Sequence, residues 1–237
     1  MQTSSTPINT TQTTSEERSA LTKVMWFGII ELVGIVAGWV AAFYLFSNLF
    51  SGTFFTSLVN STGTVTPAQV ATAMGPVFTD ITYIIPLSLG IELVGLIVLT
   101  LGFRGLARVD SQRFHVSTPF MAVLMVGLLL AAGGAVPILT SLPNIIASAP
   151  TSGTASAAFL NQFGTILAYL GLVLLGGLLS LIGYIGGLIL GLWRVGSRYN
   201  QTTLKVGAIF QIIPLLNIVA PILIILGANE AKNTLSM

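Results

Sequence analysis

Residues 91–114 read IELVGLIVLTLGFRGLARVDSQRF, an apolar run that ends in Arg104, Arg108 and Arg113. The same punctuation recurs at Arg18 and Lys23, and again at Arg194, Arg198 and Lys205. The connections 51–77 and 144–161 hold no Lys or Arg. Threading the apolar runs alternately through a bilayer places every basic cluster on one side, which the positive-inside rule makes cytoplasmic. The two uncharged connections are then external.

Composition agrees. Charged residues are 7% of the 237-residue chain and apolar ones 54%, against about 25% charged in a soluble domain. The net charge of +2 reflects topology; cations in three short clusters make no basic face for nucleic acid. Without cysteine, and with His115 as the one histidine, neither a thiolate nor a histidine metal site is available, so no metal or cofactor is expected.

Residues 1–20 are Thr-, Ser- and Gln-rich and predict a disordered cytoplasmic tail, leaving 21–237 as one transmembrane domain. The apolar runs at 24–50, 78–102, 119–143, 162–193 and 206–228 each exceed the roughly 20 residues a spanning helix needs. The expectation is an all-α polytopic bundle of about five transmembrane helices. In the last run Pro214, Asn217 and Pro221 share a helical face, and each proline removes a backbone hydrogen bond. A kinked single span, with the C-terminus outside, is the preferred reading. A re-entrant hairpin broken at PLLNIVAP is the rival, and it would return Lys232 to the cytoplasm. TSLVN at 56–60 recurs as TSLPN at 140–144, and LGFRGLARVDSQRF at 101–114 parallels LGLWRVGSRYNQTTL at 190–204. Tandem hairpins, 24–118 and 119–203, account for both matches.

Two carboxylates lie inside predicted spans, Glu31 in IIELVGIV and Glu92 in GIELVGLIV. A charge at mid-bilayer costs about 2.5–3.5 kcal/mol on insertion scales. No Lys or Arg lies within a span to neutralise them. Together with Gln211 and Asn217 they form a candidate proton or cation site, the alternative being neutral carboxyls that fasten helices together. Gly183, Gly187 and Gly191 form a GxxxGxxxG stripe and Gly34 with Gly38 a GxxxG, spacings that let helix backbones pack closely within the subunit, in a homo-oligomer or against other membrane proteins. Asp80 is expected to cap the N-terminus of the second helix. Trp26, Trp193 and Tyr199 fall at the cytoplasmic interface, and Asn60–Thr62 forms an external N-x-T acceptor. No Walker loop, dinucleotide fingerprint, HExxH or GxSxG is present, so an enzyme is not expected.

The stretch LGLWRVGSRYNQTTLKVGAIFQIIPLLNIVAPILIILGANEAKN, residues 190–233, resembles the uncharacterised archaeal multi-pass membrane proteins of the Thermoprotei group classed as domain of unknown function 973. The resemblance implies a plasma membrane location and brings no activity or site residues. Two functions remain in view. The preferred reading is a scaffold or subunit of a membrane complex, favoured by the glycine stripes and by how few polar groups lie within the spans. A small ion- or proton-coupled transporter or channel is favoured by Glu31, Glu92 and the proline-broken last run.

Overall fold

The apolar runs become helices because a backbone crossing hydrocarbon must satisfy its own polar groups. A computed structural model describes residues 10–50, 66–150 and 156–235. Helix α1 spans Thr10–Phe50 and α2 Pro67–Val109. A single turn, Ser111–Phe114, leads to α3, Ser117–Ala147. Helix α4 starts as Ala157–Gly183, passes through a π-helical stretch at Tyr184–Ile189 and resumes over Leu190–Arg198. Two short helices follow, α5 at Thr202–Phe210 and α6 at Ala220–Thr234. No strand occurs among the described residues. The first four helices are long and apolar enough to cross a membrane, so the helical bundle expected from the sequence is present.

The fifth apolar run differs from the preferred reading. It forms two short helices packed against each other rather than one kinked span. Pro214 has no N–H to give the Phe210 carbonyl, which takes the Ile213 N–H at 3.2 Å in a tighter turn. Pro221 then sits in the first turn of α6, where its missing donor costs nothing. The chain reverses between them. Gly227 of α6 lies against the Leu204 backbone, Gly207 of α5 faces Ala220 and Leu223, and Thr203 Oγ1 reaches Glu230 Oε2 at 3.5 Å. At 1.5 Å per residue α5 is only about 14 Å long, half the hydrocarbon thickness. The end of α6 thus returns beside the start of α5.

The N-terminal boundary also moves. Helix α1 begins at Thr10, so residues 10–20, expected in a disordered tail, are helical, with Glu17 and Ala20 buried. Tertiary contacts override the polar composition here. Residues 1–9, the TSLVN copy at 56–60 and the Asn60 acceptor lie outside the described residues.

Contacts divide the described chain into two units, and each long helix gives a segment to both. One draws on Met1–Val33, Ile91–Met125 and Leu181–Met237. Its core is a conventional apolar one, with Leu21, Val24, Leu99, Phe103, Phe114, Met121, Leu192, Leu204 and Ile224 fully or almost fully buried. The other draws on Gly34–Gly90 and Val126–Ser180. There the tightest packing is made by glycines: Gly127 and Gly134 of α3 would each bring a side chain into the backbone of α4, at Gly176 and Tyr169. Removing side chains to let helices touch is the membrane solution to packing without a hydrophobic drive.

Candidate functional site

Within the first unit the buried stripes on five helices all end in polar residues. On α1 the stripe Leu21, Val24, Phe27 leads to Glu31, and on α2 Leu106, Phe103, Leu99, Leu96 leads to Glu92. On α4 Leu192 and Leu188 lead to Tyr184, on α5 Leu204 and Ala208 to Gln211, and on α6 Ala228, Ile224 and Ala220 to Asn217. Glu31, Glu92 and Tyr184 each lie four positions from the nearest of these buried side chains, on the same helix face, whereas Gln211 caps α5 three positions after Ala208 and Asn217 stands in the turn three positions before Ala220. In every case the polar residue lies on the side of the core away from the Lys and Arg residues. Polar residues thus follow the packed core at the same end of each of these segments.

At that end lies a short hydrogen-bonded chain. Gln211, only 5% exposed, donates from Nε2 to Glu31 Oε1 at 2.6 Å. The Tyr184 hydroxyl lies 2.8 Å from the Gln211 carbonyl oxygen and 3.0 Å from its Oε1, and its single proton serves one acceptor at a time. The local cause is the helix break: Gln211 caps α5, so its carbonyl has no backbone donor in the next turn and accepts the phenol instead. Tyr184 opens the π-helical stretch of α4, a distortion common at functional sites.

Two acceptors among these residues are left over. Glu31 Oε2 and Asn217 Oδ1 are buried and make no hydrogen bond among the described residues. Glu92 is exposed although Gly95, Leu96 and Leu99 along its own stripe are buried. Its carboxyl lies within Coulombic range of Glu31 and Tyr184. Of the four residues named from the sequence, Glu31 and Gln211 are in direct contact, whereas Glu92 and Asn217 make no bond to either. Tyr184 was missed, since an aromatic in a membrane helix ordinarily reads as packing.

The glycines separate into two groups. Gly183 lies against the Leu124 backbone, Gly187 against that of Met121, and Gly191 against the Phe103 ring. The α4 stripe is thus used inside the subunit. Gly38 has open space around it, and Gly34 is half-buried.

At the charged end of the same unit Arg198 bridges two carboxylates, with Nη2 to Glu17 and Nη1 to Asp110 at 2.5 Å. Arg194 donates to the buried Ser117 Oγ at 3.0 Å. Helix α4 stops just beyond, because Asn200 adopts φ +53° and Gln201 N–H returns to the Gly196 carbonyl at 2.8 Å, a Schellman ending. Burial first, and then the negative charge of Glu17, pushes the Tyr199 phenol up to about 12. Trp26 and Trp193 are exposed near this end, Lys205 Nζ lying 5.9 Å from the Trp193 ring centre. His115 contacts its own turn, at Ser111 O. Asp80, expected to cap α2, does not, because that helix starts at Pro67; its Oδ2 accepts from Asn48 Nδ2 at 3.4 Å.

Long apolar helices, glycine-mediated contacts and a helical hairpin broken at proline define a multi-pass α-helical membrane protein. More narrowly, the chain belongs to the family described as protein of unknown function (DUF973), whose profile matches residues 17–237. No curated protein and no solved structure matches it.

Proposed function

We propose that the protein is a small ion- or proton-coupled membrane transporter or channel whose ion site is the polar cluster centred on Glu31. One observation carries this reading: Glu31 of α1, Tyr184 of α4 and Gln211 at the end of α5 form a hydrogen-bonded chain beside a helix break, with Glu92 of α2 nearby, and the buried carboxyl among them keeps one oxygen without a partner. Carboxyls inside membrane segments are costly and rare, and mark ion and proton pathways. Discontinuous helices supply such sites in transporters. The orientation that accompanies this reading has the N-terminus and all the basic clusters in the cytoplasm of a cell whose plasma membrane houses the protein. Lipid is its immediate partner, and no enzymatic step, cofactor, metal or nucleic acid enters.

The competing reading, a scaffold or subunit of a membrane complex, drew on the glycine stripes. The α4 stripe packs within the subunit, which removes the main reason to invoke a partner. Gly38 speaks for that alternative, since an open glycine face is where another membrane helix would dock.

Flux measurements in proteoliposomes separate the two. For a transporter, Glu31→Gln and Glu92→Gln each lower proton, Na⁺ or K⁺ flux at least tenfold while the protein still folds, because glutamine keeps the shape but cannot ionise. For a scaffold, both glutamine variants are silent, and leucine at Glu31 is the damaging change because it strands Gln211. Wild-type flux no higher than that of empty vesicles for all three ions would overturn the transport reading.

A further inference from the structure

We propose that Glu31 binds a single proton, and that its ionised form fastens the α5–α6 break to α1 while its protonated form releases it. The inference rests on reading the polar cluster as an ion site and specifies the ion and its consequence. The argument for a proton is a count of ligands. Hard metal cations take about six to eight oxygens. Around Glu31 the neighbour in contact is an amide nitrogen, whose N–H points at Oε1 and would face a cation with its positive end. The Tyr184 hydroxyl is turned toward the two oxygens of Gln211. No group of three or more His, Asp or Glu side chains comes together among the described residues. A proton needs one lone pair, and Oε2, buried and without a partner, offers it.

The consequence follows from where Gln211 stands. It caps α5 just before the turn that contains Pro214, so its side chain is the polar tie between that turn and α1, beside the apolar packing of Gly28 on Pro221 and Ile224. An N–H bond to a carboxylate is roughly twice as strong as one to a neutral carboxyl. Proton uptake on Oε2 forms one O–H bond and breaks none, yet it weakens the Gln211 contact by removing the charge. The groups facing Glu31 are Gln211 from the break, Tyr184 from α4 and Glu92 from α2. On α1 itself the nearest charged residue is Lys23, two turns away. No cation therefore holds the carboxylate in place of Gln211.

The test uses the full-length protein in lipid. Infrared difference spectra between alkaline and acid buffer should show the C=O band of a carboxylic acid that disappears in Glu31→Gln and persists in Gln211→Leu. A nitroxide at Leu215→Cys, on the exposed break, should gain mobility in acid. In the Glu31→Gln background it should be mobile at every pH, as it should with Gln211→Leu. Persistence of every acid band in Glu31→Gln, or a label whose mobility ignores pH in the wild type, overturns the proposal. Loss of flux in Glu31→Gln without that band leaves transport standing and eliminates the proton. The band and the release without any flux leave the proton switch standing and eliminate transport.

Discussion

A glycine matters to this protein according to what its missing side chain would strike. At Gly183 a Cβ would sit 2.5 Å from Leu124 Cα, and at Gly187 2.8 Å from Met121 N; at Gly38 it would meet nothing. Gly183→Leu is therefore expected to cost at least the ~1–3 kcal/mol of ordinary overpacking, because backbone cannot step aside, and Gly38→Leu to leave the melting temperature of the detergent-solubilised protein unchanged. Equal effects would refute the packing of Gly183 against α3. Tyr199 gives a second expectation. Its phenol titrates at about 12 when folded and near 10 when unfolded, so the folded state holds the proton more tightly. Stability is full below about pH 10 and falls as pH rises toward 12, and Tyr199→Phe should remove part of that alkaline loss. The spacing of Gly183, Gly187 and Gly191 was plain in the sequence, because a period of four is a property of one helix. The role of Tyr184 was not, since it depends on the Gln211 carbonyl, 27 residues away and left without a backbone donor where α5 ends.

Elements are joined in this fold by polar contacts that sequence distance conceals. Arg198 meets Glu17 from 181 residues away and Asp110 from 88, and nothing local in either acid announces the pairing. The signal that existed was modest: Glu17 stands in a stretch otherwise read as a polar tail. Because the Arg198 side chain is 22% exposed and Glu17's 9%, its loss lies between a surface pair and a buried one. Arg198→Ala should destabilise by about 1–3 kcal/mol. Arg198→Lys should restore little, since a single ammonium lacks the fork that reaches two carboxylates. Thermal unfolding of both variants checks this; recovery of wild-type stability by lysine would mean that charge alone suffices. The same helix end shows why the fifth apolar run misled. Its length satisfied a spanning helix, and only the two prolines and the returning Lys232 spoke for the hairpin. Which side prevails is decided by packing, at Gly207 and Gly227, that no single run displays.

The whole molecule separates charge by unit. All nine Lys and Arg residues belong to the unit built from Met1–Val33, Ile91–Met125 and Leu181–Met237, and the other contains Asp80 as its one charged residue. The helical bundle was therefore legible in the apolar runs and the segregation of charge in the three basic clusters, whereas the parity of the chain was not, because it hinged on the last run. Four spanning helices with a re-entrant hairpin bring Thr234 back to the side of Ser111, and a fifth span would separate them. The chain has no cysteine, so single cysteines report without background. Ser156→Cys, at the exposed start of α4, should react with an impermeant maleimide on intact cells. Ser111→Cys and Thr234→Cys should react only after the membrane is opened, because moving their basic surroundings across would expose Arg113 and Lys232 on the wrong side. External reaction at Thr234→Cys with Ser111→Cys protected would restore the fifth span. It would also remove the reversal after Gln211, and with it the broken segment whose release the Glu31 proton is proposed to control.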